Sequence, residues 1–81
     1  MRSERNGMIV VQSNAENQVE IHLDPEGIDR LRRKLESLIA KPVNDHLHLT
    51  TPEWAGDDLD STPMNEGATI VHKLDIYLWR P

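Results

Sequence analysis

The chain has no cysteine and no phenylalanine among its 81 residues. The first absence removes disulfides and thiolate metal sites as supports for a thin core, and it fits a reducing compartment. The second leaves two Trp and one Tyr as the whole aromatic content. Long apolar runs are missing too: stretches such as residues 8–11 reach three or four residues, against the roughly 20 that span a bilayer, so no membrane helix is expected. Nor is there a basic excess. Nine Lys or Arg face 14 Asp or Glu, a formal charge of −5, which disfavours nucleic acid and anionic lipid as partners because both are bound chiefly by clustered cations. A basic protein is the easier partner to defend. No apolar segment of signal-peptide length follows the charged first seven residues, so the protein is expected in the cytoplasm.

Leu, Ile and Val number 20, about a quarter of the chain and above the roughly 20% level below which chains stay disordered. One small domain is therefore expected over residues 8–81, behind a frayed leader at 1–7. A domain of this length buries only about 60–68% of the surface its unfolded chain exposes, which keeps dimerisation open as an alternative.

Residues 8–12 are mostly β-branched, residues 13–17 supply turn formers, and Val19, Ile21 and Leu23 alternate with polar neighbours. This reads as a hairpin whose second strand turns those three side chains to the core. Asp24-Pro25-Glu26 starts a helix: the Asp carboxylate can accept from free amides, Pro at the first position loses no hydrogen bond, and Glu suits the positive helix end. Ile28, Leu31, Leu35, Leu38 and Ile39 share one face of that helix, which runs to about Ala40. Residues 45–50 alternate again, with Leu47 and Leu49 opposite His46 and His48. Pro and Gly punctuate an aperiodic loop at about 51–67, and residues 68–79 read as a last strand. The fold class expected is α+β in ββαββ order, a four-stranded mostly antiparallel sheet with one helix packed on one face and the other face open.

The net acidity sits in one place. Residues 42–68 hold six carboxylates (Asp45, Glu53, Asp57, Asp58, Asp60, Glu66) and no Lys or Arg. Such a run is either a solvated loop, whose exposed carboxylates add little to stability, or an acidic docking surface. Trp54 lies inside it, as a core side chain covering the sheet or as an exposed anchor among carboxylates. Tyr77 and Trp79 can cover the open sheet face or form a dimer contact. His46 and His48 project the same way from their strand and can share one ion, with His22, Asp45 or a loop carboxylate as third ligand, but no ligand spacing completes the set. His72 reads as a core-edge histidine held by a backbone carbonyl. No nucleophile motif, phosphate loop or calcium loop is present, so neither an enzyme nor a cofactor is expected.

The run His46-Leu47-His48-Leu49-Thr50-Thr51-Pro52-Glu53-Trp54-Ala55-Gly56, with Leu59 and the later strand from Ile70 to Tyr77, resembles immunity protein family 32 of bacterial polymorphic toxin systems. The resemblance spans about residues 8–79. His46, His48, Thr51, Pro52, Trp54 and Gly56 would be its motif positions, with Ala55 where the family implies Gly and Asp58 where it implies Glu. It implies a ββαββ-like inhibitor that binds a cognate protein toxin inside the producing cell. The acidic residues Glu53, Asp57, Asp58, Asp60 and Glu66, with Trp54, are then candidates for contact with a basic toxin such as a nuclease. The alternatives are a homodimeric scaffold or regulatory binding domain using the open sheet face and, third, a metal-dependent enzyme built on His46 and His48.

Overall fold

The computed structural model of the chain describes residues 7–81. Of the leader expected at 1–7, all but its last residue lies outside the described residues, and that residue, Gly7, is buried and accepts from Arg30 Nη1 at 3.0 Å.

β1 (Ile9–Ser13) and β2 (Val19–Leu23) form the expected hairpin, in register from Ile9 opposite Leu23 to Ser13 opposite Val19. The helix α1 runs Pro25–Ile39. Asp24 caps it, its Oδ1 accepting from Gly27 N–H at 2.7 Å and also from Met8 N–H at 2.9 Å, so one carboxylate satisfies a free helix amide and ties the helix start to the residue before β1. Gly27 permits that approach, because a Cβ there would lie 2.0 Å from Met8 O. β3 (Asp45–Thr50) follows, then a single 3-10 turn at Pro52–Trp54, a two-residue β4 (Thr69–Ile70) and β5 (Lys73–Leu78).

The single four-stranded sheet does not form. The strands make a three-stranded sheet in the order β2-β1-β4 and a two-stranded sheet of β3 and β5, antiparallel throughout. The expected last strand changes partner at Val71–His72: Val71 N–H donates to Val11 O at 2.8 Å, and His72 O accepts from Thr51 N–H at 3.0 Å. Beyond that point β1 has no free edge to offer. Asp60 N–H donates to Ile9 O at 2.8 Å and Asp60 Oδ2 accepts from Ile9 N–H at 3.0 Å, so a loop residue stands where a strand would have continued.

The same loop supplies the core. Leu59 is fully buried with Ile9, Val11 and Leu49, and Leu23, Leu31, Leu47, Val71 and Leu74 pack around them. Asp58 and Leu59 N–H both donate to Thr50 O, at 3.2 and 3.1 Å, so this segment bridges the end of β3 to the start of β1. The core gathers where both sheets and the loop converge, and elements reaching past that point lose their cover. Val19 and Ile21, at the turn end of the hairpin, are 63% and 45% exposed. On α1 only Leu31 and Leu38 turn inward as expected; Ile28, Leu35 and Ile39 lie on the flank and stay largely exposed. No described helix is long and apolar enough to cross a membrane.

Candidate functional site

The last turn of the His46–Gly56 run is shaped by local geometry. Trp54 N–H and Gly56 N–H both donate to Thr51 O, at 2.9 and 3.0 Å, and Ala55 N–H donates to Pro52 O at 3.0 Å. Pro52 opens the 3-10 turn and Ala55 closes it in the left-handed region at φ 68°. Gly56 then folds back over β3, where a Cβ would fall 1.8 Å from Thr50 Oγ1 and 2.7 Å from Thr50 O. Thr51 is buried, and its hydroxyl meets His72 Nδ1 at 2.7 Å. Thr51, Pro52 and Gly56 therefore build the turn that carries Leu59 into the core. His72 is held by that hydroxyl, and not by a backbone carbonyl as expected.

Trp54 is lifted outward by this turn. It is 57% exposed and lies parallel to the His72 ring with centroids 5.9 Å apart. A stacked, half-open indole is not a core side chain. Tyr77 and Trp79 are exposed as well, at 53% and 73%, so all three aromatic residues of the chain face solvent.

Tyr77 and Trp79 begin a row along the outer face of β3 and β5. Trp79 stacks on Tyr77 at 6.0 Å, Tyr77 on His46 at 4.8 Å, and His46 meets His48 edge-on at 4.5 Å. The ladder explains the contacts: Thr51 bonds His72, so by alternation His48 opposite Asp75 and His46 opposite Tyr77 are non-hydrogen-bonded pairs, where side chains sit closest. His48 Nδ1–H donates to Asp75 Oδ1 at 2.7 Å, and this bond holds the Asp75 carboxyl below the usual carboxylate range. The Nε2 atoms of His46 and His48 lie 3.1 Å apart, within hydrogen-bond distance. Among the described residues no group of three or more His, Asp or Glu is placed to hold a metal ion. His22 lies in the other sheet, where its Nε2 pairs with Glu20 at 3.0 Å and lowers that carboxyl's pKa.

The five acidic candidates divide by position. Asp58 is half-buried, with Oδ1 3.2 Å from Lys34 Nζ and its carbonyl accepting from Arg30 Nη2 at 3.0 Å. Asp60, also half-buried, holds the β1 edge. Glu53, Asp57 and Glu66 are exposed. Glu53 accepts from its own backbone N–H, which lowers its pKa, and from Ser61 Oγ at 3.2 Å. Of the contact candidates on the loop, only these three and Trp54 are exposed.

Sequence reasoning passed over Gln12. It is fully buried on the face of β1 away from Ile9 and Val11. Its Oε1 accepts from Met64 N–H at 3.0 Å, and its Nε2 donates to Asn65 Oδ1 at 2.8 Å and Glu20 Oε1 at 2.9 Å, which pins the loop across that sheet face. One polar residue in a short β-branched strand carries no periodic signal.

No curated protein and no solved structure matches the chain. The family model described as Immunity protein 32 matches residues 18–74, well over half the chain and including the whole His46–Gly56 turn. The chain thus belongs to the immunity protein 32 family.

Proposed function

We propose that the protein neutralises a cognate toxin of a bacterial polymorphic toxin system by binding it, with the outer face of β3 and β5 and the Trp54 turn as the contact surface. The observation that carries this reading is the placement of the aromatic residues. A domain with a thin core and no Phe leaves Trp54, Tyr77 and Trp79 all exposed, Tyr77 and Trp79 in one row and Trp54 beside His72, although burying one aromatic side chain removes about 150–250 Å² from water. Exposed Trp and Tyr are the residue types that most often dominate binding energy at protein interfaces. Beside Tyr77, the residues His46, His48 and Asp75 supply polar contacts already in hydrogen-bonded order.

The exposed carboxylates Glu53, Asp57 and Glu66 give the loop surface negative charge. A toxin domain that handles nucleic acid is basic, and opposite rim charge raises the rate of encounter. A basic nuclease is the target this charge fits best. Asp58 and Asp60 take part indirectly, by holding the turn in place.

A homodimer is the second reading, favoured by the groove of about 270 Å³ that Leu35, Ile39, Ile76 and Leu78 form beside Tyr77. Co-expression with the toxin encoded by the neighbouring gene separates the two readings. Neutralisation requires that cells survive the toxin with the parent chain and that the two proteins co-purify. Cells that die although the chain accumulates in folded form, with a dimer in sedimentation, support the second reading.

A further inference from the structure

The other side of β3 carries a second surface of opposite charge. Among the described residues β3 pairs only with β5, and the alternation set by the Thr51–His72 bond turns the backbone groups of His46 and His48 to the unpaired edge. At Thr50, the next residue of that edge, the loop has already taken the position, with Asp58 and Leu59 N–H on its carbonyl. At His46 the N–H is satisfied locally by Asp45 Oδ1 at 2.8 Å. His48 N–H and the carbonyls of His46 and His48 have no backbone partner among the described residues. Exposed edges are normally blunted by Pro, an inward Lys, a bulge or a covering element. The stretch from His46 to His48 has neither Pro nor Lys.

Beside this edge a groove of about 490 Å³ opens between α1 and β3. Arg30, Arg33, Lys34 and Lys41 line it against one carboxylate, Asp58. Arg30 spends its donors on two carbonyl oxygens, of Gly7 and Asp58, and neutralises no carboxylate through them. Arg33 is 3.5 Å from Asp29 and remains mostly exposed. Lys34 lies 3.2 Å from Asp58 and Lys41 3.0 Å from Asp45, both pairs partly open to solvent, so the four cations meet three carboxylates and leave the strip with a small positive excess, in a chain of net charge −5, beside a strand edge that can accept another strand.

We propose that the free edge of β3 binds an extended acidic segment of a partner protein, which adds as a strand through His48 N–H and the His46 and His48 carbonyls while its carboxylates reach Arg33, Lys34 and Lys41. Main-chain bonds supply affinity in strand addition, and the side-chain groove supplies selectivity. A strand edge favours a peptide over nucleic acid, which has no matching alternation of donors and acceptors. The proposal names a second surface on the toxin-binding domain, and its test needs no toxin.

The test is a titration of the isotopically labelled protein with a short blocked peptide alternating Thr and Glu, followed by amide shifts and amide exchange. Support consists of shifts confined to β3 and the facing side of α1, slowed exchange at the His48 amide, and none of either with the matching Thr–Lys peptide. His48→Pro removes the edge N–H, and Pro is tolerated on an edge strand where the N–H faces solvent; it should weaken binding roughly tenfold, the value of one or two lost hydrogen bonds. His48→Ala keeps the N–H and should bind like the parent. Should His48→Pro fail to fold, the double variant Arg33→Glu with Lys41→Glu gives the same reading by abolishing binding. The proposal is overturned by absence of shifts at β3, by equal binding of the Thr–Lys peptide, or by inorganic phosphate or a short single-stranded RNA reproducing the same shifts and His48 protection. A chain that rescues cells from the toxin yet ignores the Thr–Glu peptide refutes this inference alone and leaves the neutralising role standing.

Discussion

Leu59→Ala and Leu35→Ala make the sharpest test of the fold, because helical periodicity and the three-dimensional structure rank them in opposite order. Periodicity puts Leu35 in the centre of a core-facing stripe and Leu59 in an aperiodic loop. In the structure Leu59 is fully buried between β1 and β3, and Leu35 is 40% exposed. Truncating a fully buried Leu costs about 2.7–5 kcal/mol, since both the transfer energy and the cavity count. A domain of this size loses about 4–8 °C in Tm per kcal/mol, so Leu59→Ala should melt at least about 10 °C lower than the parent. Its backbone cannot relax freely to fill the space: Asp58 and Leu59 N–H are both held on Thr50 O, and Asp60 on Ile9. Leu35→Ala removes a half-solvated side chain and should cost about 1 kcal/mol or less. Thermal and urea unfolding of both variants decides the matter. Equal losses, or a larger loss for Leu35→Ala, would refute the placement of the loop in the core.

Gly56→Ala should destabilise by about 1–3 kcal/mol, because the new Cβ meets Thr50 O and not only a mobile side chain. Ala55→Gly should be neutral to about 1 kcal/mol stabilising, since relief of the left-handed conformation outweighs the added freedom of the unfolded chain; urea midpoints measure both. Gln12→Ala should release the loop at Met64, read as faster exchange of the Met64 amide and a loss of about 2–3 kcal/mol from several buried hydrogen bonds. The carboxyls of Glu20, Asp45, Glu53 and Asp75 all titrate below their ordinary values, chiefly through hydrogen bonds from His22, from the His46 N–H, from Glu53's own N–H and from His48 respectively. Lowered carboxyl pKa values stabilise the folded state above the ordinary carboxylate range, so that contribution is lost as pH falls through the folded values. Stability against urea should therefore fall on acidification below about pH 4.5, and Asp75→Asn should flatten that fall.

The parts of the fold written in local chemistry were legible. The Asp24-Pro25 helix start, the hairpin, the α1 boundary near Ala40 and the alternation of β3 all follow from propensity and spacing, which act over a few residues. The parts that depend on distant partners were not. Nothing near Val71 announces that the last strand will exchange β1 for β3 as its neighbour, because that exchange is forced by Asp60 lying on Ile9, 51 residues away in sequence. Leu59 gave no sign of burial because a single apolar residue in a turn-rich segment has no period. The candidate surface was legible as residue types and illegible as geometry. Trp54, Tyr77, Trp79, His46 and His48 were all singled out, but the row that His46, His48, Tyr77 and Trp79 make depends on the β3–β5 register. The acidic loop was counted as one patch, whereas Asp58 and Asp60 serve the fold and Glu53, Asp57 and Glu66 face out.

The measurement that bears most directly on the proposed role is the association kinetics of the protein with the neighbouring gene's toxin, compared across two variants. Replacing Trp54, Tyr77 and Trp79 together by Ala should leave the fold intact, as all three are exposed, and should raise the off-rate at least about a hundredfold, since interface anchors of this type are worth about 2 kcal/mol or more each. Replacing Glu53, Asp57 and Glu66 by Gln, Asn and Gln should instead slow association and flatten its salt dependence while the off-rate changes little. A toxin that the parent chain binds tightly, and that the triple aromatic variant binds with an unchanged off-rate, would contradict the assignment of this face as the contact surface.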